Sequence, residues 1–374
     1  MSGHKTNQTN TILLIGGGHA HVAVLADWAS NGLPSGARAI LLTPDPFLRY
    51  SGMVPGWISG EHARDEARVD LEGLARAAGV DLVLDRCVAI DPVARSVLTM
   101  DNGVIGFDIA SIDTGGVGRA AKVLGDDPRL IDVRPIDTFV DRIAELPAAR
   151  NIAVVGGGAG GVEIAFAMQN RSGDTSKPNV TLITGDSGLL SSFSPAVQHK
   201  VHSELARQNI AVIEGKARFE DGAIVVNSDP IEPIDFVIGA VGSGAPDWPR
   251  AGGLQCDERG FIAVNSHMRS LSHDHIFAVG DVASRQDRFV AHSGVHAVMA
   301  GPALAANLRA VAQGKPAPKS YHPRPYSLYL LSTGRGEAIA SYGPFTAQGR
   351  WVSRLKAWID KRWIARYAAI SSGS

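Results

Sequence analysis

Two stretches of this chain carry the same pattern of apolar and polar positions. In TILLIGGGHAHVAVLADWA (residues 11–29) and NIAVVGGGAGGVEIAFAMQ (residues 151–169), an aliphatic run meets glycines and then continues as a mixed apolar stretch. A short unbroken apolar run ending in glycine reads as a buried strand, and the longer stretch behind it as a helix. Residues 11–16 and 18–30 are therefore predicted strand and helix, and ARAILLT (37–43) a second strand. The order repeats at 151–156 and NVTLIT (179–184) around a second helix. Strand, helix, strand in this spacing predicts parallel sheets. Residues 80–112 alternate around the turn signal DNG and read as a meander of short strands, while DFVIGAVG (235–242) and HIFAVGDVA (275–283) read as strands ending at glycine. SGVHAVMAGPALAANLRAV (293–311) reads as a helix kinked at Pro302. PDPFLRYSGMVPGWISGEH (44–62) is read as a long loop, rich in Pro and Gly. From residue 320 onward the pattern changes to hairpin-like strands and a basic, tryptophan-rich helix.

A strand, a glycine-rich turn and a helix put backbone N–H groups and a helix N-terminus at one point, which suits a pyrophosphate. In the spacing G-x-G-x-x-G, one glycine makes the turn, one admits the pyrophosphate, and one lets helix and strand pack closely. The second turn fits fully, with Gly156, Gly158 and Gly161; the first has Gly16 and Gly18, but His21 in the third place. Two such turns in one chain suggest a relay between two dinucleotides. The fold class that follows is α/β, with two Rossmann-like dinucleotide-binding domains and a C-terminal β/α tail. The N-terminus (1–10) reads as polar and flexible; the resemblance set out below implies a first dinucleotide domain in two pieces (11–118 and 245–318), a second (119–244), and a C-terminal region (319–374).

Composition narrows the chemistry. A net charge of −1 over 374 residues gives no electrostatic case for nucleic acid. Only Cys87 and Cys256 are present, far apart, which argues against a disulfide scaffold, a C-x-x-C pair or a cysteine zinc site. The N-terminus lacks a signal-peptide core, and no run of about 18 apolar residues exists to span a bilayer. The expected place is the cytoplasm, with a peripheral position on the inner face of the membrane as the alternative.

HIFAVGDVA, SIDTGG (111–116) and VIGAVG (237–242) resemble the flavin motif and the domain-crossing segments of two-domain flavoproteins built like glutathione reductase, the pyridine nucleotide-disulfide oxidoreductases. The loop RYSGMVPGW lacks the cysteines of their disulfide reductase branch. The chain is similar to type II NADH dehydrogenases. It is closer to the flavoprotein domain fused in front of selenophosphate synthetase, through GGGHAHVAVL, RYSGMVPGWISG, LYLLSTGRGEAIASYG and LKAWIDKRWIARY. The resemblance implies FAD and NAD(P)H as cofactors. It places FAD over Gly16, Gly18, His19, Ala20, His21, Thr43, Arg49, Val88, Thr114, Gly115, Gly280, Asp281, Gly294 and Val295. NAD(P) falls over Gly156, Gly158, Gly161, Glu163, Thr184 and Gly242. Asp281 would bind the ribityl chain, and the helix starting at Gly294 would aim its N-terminus at the flavin ring. The implied reaction is hydride transfer from NAD(P)H to FAD, then electron transfer to a small acceptor such as a quinone. A flavin oxidase or selenium/sulfur-handling reductase that ignores NAD(P)H, and a redox-gated binding flavoprotein, are the rival readings.

Several residues leave alternatives open. Neither Thr43-Pro44 nor Thr184-Gly185 supplies the acid that would grip a ribose at a strand end, since Asp45 and Asp186 come late; NAD and NADP are both open. Glu163 reads either as a nucleotide contact or as an acid at a helix start. His19 and His21 lack an obvious third ligand, so no metal is expected. His292, His296 and Tyr50 are the candidate catalytic residues, for proton delivery to the acceptor; Tyr50 and Trp57 are alternatively a cover for the flavin, or simple packing. Arg350 to Arg366 holds six basic residues and one acid, with Trp351, Leu355, Trp358, Ile359 and Trp363 near one helical face. Such a helix is either a membrane-surface anchor or a helix docked on its own domain or in a homodimer interface.

Overall fold

The computed structural model describes residues 10–101, 103–171 and 177–372; most of the expected flexible N-terminus lies outside them. Two five-stranded, all-parallel sheets form the frame. The first runs in the order Ile276–Ala278, Ile109–Ile112, Asn10–Ile15, Ala37–Thr43, Asp81–Leu84. The second runs Leu130–Asp132, Phe236–Gly239, Asn151–Val155, Asn179–Ile183, Ala211–Ile213. In each, a glycine turn leaves the central strand and enters a helix, His19–Asn31 in one and Ala159–Gln169 in the other. Central strands buried on both faces explain the unbroken aliphatic runs: Ile12, Leu13, Leu14 and Ile15 are all buried, as are Ile152, Ala153, Val154 and Val155.

The two halves also share an antiparallel three-stranded meander, Cys87–Asp91, Ser96–Thr99, Val104–Gly106 in the first and Ala217–Glu220, Ala223–Val226, Asp229–Ile231 in the second. The single meander expected over 80–112 is thereby corrected. Asp81–Leu84 and Ile109–Ile112 leave it to join the parallel sheet, because long-range pairing overrides a local alternating pattern. The expected loop 44–62 is likewise partly ordered: Phe47–Arg49 pairs with Arg68–Asp70, and Val54–Ile58 forms a short helix with proline in its first turn. Proline is tolerated there because the first helical N–H groups have no intrahelical partner.

Helix Gly294–Ala312 runs through Pro302 and packs on the first fingerprint helix at Gly301, where a side chain would come within 2.5 Å of the Ala23 Cβ. The chain closes with a hairpin sheet, Tyr329–Ser332, Ala338–Tyr342, Phe345–Gly349, and helix Arg350–Ser371.

Candidate functional site

The two fingerprint turns are equivalent in register. Ile15 pairs with Ile112 and Val155 with Gly239, so the residues that follow, Asp113 and Ala240, occupy the same place beside their glycine turns. The carbonyl of each faces the first glycine: a Cβ on Gly16 would stand 2.5 Å from the Asp113 oxygen, and one on Gly156 2.2 Å from the Ala240 oxygen. Both glycines also hold positive φ, 92° and 141°. These two positions admit only glycine.

At the second turn the third glycine is required as well, since a Cβ on Gly161 would sit 2.0 Å from the Gly156 oxygen. At the first turn His21 replaces it. Its imidazole is buried: Nδ1 donates to the Gly16 carbonyl oxygen at 2.6 Å, which leaves Nε2 to accept from the Ser111 hydroxyl at 2.8 Å. Burial lowers its pKa to about 4, so the ring is neutral. The larger side chain is thus accommodated by a hydrogen-bonded fit rather than by a cavity.

Both fingerprint helices begin at a glycine that offers no capping side chain of its own, Gly18 and Gly158; at the first, the Ala20 and His21 amides are met by the Asp113 carboxylate. Uncapped amides at a helix start are an anion site. Around the first, the Nε2 of His19 and the Oγ of Ser293 are buried without a hydrogen-bond partner, and a Cβ on Gly294 would come within 3.9 Å of the His19 ring. Orphaned buried polar atoms at a helix terminus are what a polar ligand would satisfy, and an FAD fits these donors. Asp281, in the turn Gly280–Val282, is buried; its carboxylate accepts from Arg134 at 2.7 Å and from Ser243 at 3.2 Å. Arg134 and Ser243 escaped the sequence reading, which had no means of pairing residues so distant in the chain. Thr43 is buried beside Gly17, Val88 half-buried on the meander, and Thr114 exposed next to the open Gly115. Gly294 and Val295 form the start of their helix. Arg49 is turned elsewhere: Nε donates to Asp137 at 2.7 Å and Nη1 to the Arg64 carbonyl at 3.0 Å.

Around the second turn Gly158 and Gly160 face open space, with no heavy atom within 4 Å of a built Cβ, and the exposed Gly242 is equally open. Thr184 is buried at the strand end, while Asp186 is paired with Lys216 at 2.9 Å. Glu163 does not face that opening. Its Oε1 accepts from the Ser332 amide at 2.9 Å, and burial raises its pKa.

The C-terminal helix closes the site. It turns Val352, Lys356, Asp360, Trp363 and Tyr367 inward, whereas Trp351 and Trp358 stay 58% and 59% exposed. The single five-residue face expected from spacing is therefore split, with Trp363 on the inner side. Trp363 stacks on Tyr50 at 4.7 Å between centroids, and His19 lies 5.7 Å from Tyr50 and 5.5 Å from Trp363. Beneath this pair Lys356 Nζ donates to the Gly52 carbonyl at 2.8 Å and to Asp360 at 3.1 Å. Burial works against the lysine charge, but Glu163 and Asp360 outweigh it and hold its pKa above the ordinary value. Burial and the Asp360 carboxylate push the Tyr50 phenol up. Trp57 packs, partly buried, against the core around the second sheet.

His292 and His296 do not meet this cluster. They line a neighbouring pocket together with Gly280, Ser293, Arg285, Tyr321 and apolar side chains. His292 Nε2 donates to the Ala283 carbonyl at 3.1 Å, and His296 Nδ1 is 2.8 Å from the Tyr321 hydroxyl. Cys87 and Cys256 are free thiols, each directed at a nearby carbonyl, and burial pushes the Cys87 thiol up to about 12. Neither suits thiolate chemistry. Among the described residues no group of three or more His, Cys, Asp or Glu is placed to hold a metal ion, and no helix is long and apolar enough to cross a membrane.

A family model described as pyridine nucleotide-disulphide oxidoreductase matches residues 10–312. The NADH dehydrogenase-like protein YutJ of Bacillus subtilis is 25% identical over 282 residues, covering 73% of this chain and 76% of the relative. Among solved structures, the sulfide:quinone oxidoreductase of Aquifex aeolicus superposes with a TM-score of 0.77 at 18% identity, over 98% of this chain and 92% of the other. NDH2 from Plasmodium falciparum in complex with NADH gives 0.76 at 14% identity, over 95% and 98%.

Proposed function

The chain belongs to the pyridine nucleotide-disulphide oxidoreductase family, and from that premise we propose that it carries electrons from NAD(P)H, bound at Gly156–Gly161, through FAD, bound at Gly16–His21, to a quinone-like acceptor. As an NAD(P)H-dependent flavoprotein oxidoreductase it leaves the electron chemistry to its cofactors, while the protein supplies alignment and electrostatics. The observation that carries this reading is the pair of glycine-started helices, one beside orphaned buried polar atoms and the other beside open glycines.

Each residue then has a task. The His19 Nε2 and Ser293 Oγ satisfy polar groups of the flavin, and Asp281 holds its sugar-alcohol chain. Gly294 presents a helix N-terminus whose partial positive charge favours negative charge nearby. Gly158 and Gly160 leave room for the nicotinamide dinucleotide. Tyr50, whose phenol is kept protonated by burial and the Asp360 carboxylate, is the group that supplies a proton on the acceptor side. His292 and His296 are committed to other partners and support the fold of the neighbouring cavity. The absence of a cysteine between Arg49 and Trp57 favours this reading over thiol–disulfide exchange.

The outer face of the C-terminal helix supports a peripheral position on a membrane, where such an acceptor resides. Trp351 and Trp358 are exposed beside Arg354, Lys361 and Arg362, and the guanidinium of Arg362 lies 5.5 Å over the Trp358 ring. Tryptophan at the boundary with basic neighbours is the composition of an interfacial helix. Steady-state NAD(P)H oxidation with a short-chain soluble quinone tests the acceptor: turnover that saturates with quinone supports it, and turnover no faster than with oxygen alone counts against it.

A further inference from the structure

The internal duplication exposes one residue without a counterpart. The second turn carries Ala240 where the first carries Asp113. The Asp113 carboxylate is fully buried, and its Oδ2 accepts from the Ala20 amide at 2.8 Å and the His21 amide at 3.1 Å. These are amides of the first turn of the very helix whose start receives the cofactor phosphates on the reading above. A Cβ on Gly18 would lie 2.3 Å from the Asp113 Cγ, and one on Gly280 2.7 Å from its Oδ1, so the carboxyl is wedged between the fingerprint turn and the flavin-motif turn.

The charges facing this group can be counted by element. The fingerprint helix contributes His19 and His21, both neutral because burial lowers their pKa to about 4. The flavin-motif turn contributes a second carboxylate, Asp281, whose cationic partner Arg134 comes from the other domain. A bound dinucleotide adds two phosphate charges. Two carboxylates and a pyrophosphate would then share one helix N-terminus, worth only about half an elementary charge. Like charges in a desolvated site are relieved by protonation of one of them. Asp281 keeps its ion pair, so Asp113 is the group left to neutralise.

We propose that Asp113 is a cofactor-positioning residue that acts as a carboxylic acid, taking up one proton as FAD binds and holding the helix amides in place beneath the pyrophosphate. The proposal rests on the assignment of FAD to the first turn. Burial already pushes the free carboxyl up to about 7, so the linkage falls in an accessible range. A group protonated on binding makes affinity fall as pH rises above its ligand-free pKa, by up to tenfold per unit.

FAD binding to deflavinated protein, followed by flavin fluorescence between pH 6 and 9, reads this directly. The wild type should weaken up to tenfold per unit above pH 7, and Asp113→Asn, which keeps an oxygen acceptor for the two amides, should be flat. Calorimetry of the wild type at pH 8 in two buffers of different ionisation enthalpy should show about one proton taken up, a readout independent of how the variant folds. A pH-independent wild type, no proton uptake, or a slope that survives in Asp113→Asn and so belongs to His19, overturns the proposal. Failure of the underlying assignment looks different: Asp113→Asn would then alter NAD(P)H affinity and leave FAD affinity unchanged at every pH.

Discussion

Trp363 stacks on Tyr50 with ring centroids 4.7 Å apart and planes 25° from parallel. This contact joins the last helix of the chain to the loop after the first sheet's second strand. Partial burial of an indole and an offset aromatic pair together stabilise by about 2–3 kcal/mol. Trp363→Ala should lower the free energy of unfolding by about that amount and raise the mobility of the C-terminal helix. Denaturant melts and amide exchange across Arg350–Ser371 check both. Unchanged exchange would mean that the other inward residues, such as Val352, Lys356, Asp360 and Tyr367, hold the helix without it.

The glycines of the second turn separate into two kinds. Gly161→Ala collides with the Gly156 carbonyl oxygen at 2.0 Å and must push helix from strand. It should cost about 2–4 kcal/mol of stability. Gly158→Ala meets no protein atom within 4 Å, so it should melt like the wild type while KM for NAD(P)H rises several-fold with less effect on kcat. Equal loss of stability in the two variants would contradict the packing argument.

The buried histidines set an acid limb of stability. His19 and His21 are lowered to about 4 by burial, against an ordinary value of 6.5. Between those values the unfolded chain binds more protons than the native one, so stability is lost as pH falls through that window. Asp113 works in the opposite sense, since its raised pKa makes the native state bind the extra proton below about 7. The cleanest measurement is therefore a difference. Between pH 7 and 5, His21→Gln should lose about 2 kcal/mol less stability than the wild type. Parallel curves would show that His21 is not held neutral.

Much of the frame was legible because its signals are local. Aliphatic runs ending in glycine locate both central strands, and the first helix begins one residue from its expected start. Residues joined through tertiary structure were not legible in this way. Asp81–Leu84 and Ile109–Ile112 look like meander strands until the sheet is known. Arg134 meets Asp281 across 147 positions, and Lys356 meets Gly52 across 304. Asp113 was missed too: SIDTGG laid on VIGAVG sets it opposite Gly239, and only the strand register places it opposite Ala240. The tail misled because spacing alone does not tell which side of a helix is docked.

For the tail, Trp351→Ser with Trp358→Ser removes the exposed indoles without touching the docked face. Flotation with vesicles containing anionic lipid should fall at least tenfold, while melting temperature and NAD(P)H oxidation with a soluble acceptor stay near wild type. Loss of soluble activity together with flotation would instead place these residues in the fold or an interface between copies.

The central claim is the passage of electrons from a nicotinamide at the second turn to a flavin at the first. Anaerobic mixing of the FAD-bound protein with NADH, and separately with NADPH, while the visible flavin band is followed, tests it most directly. The account predicts bleaching within the turnover time by at least one donor, slowed in Gly158→Ala at low donor concentration. A flavin that stays oxidised with both donors would contradict it.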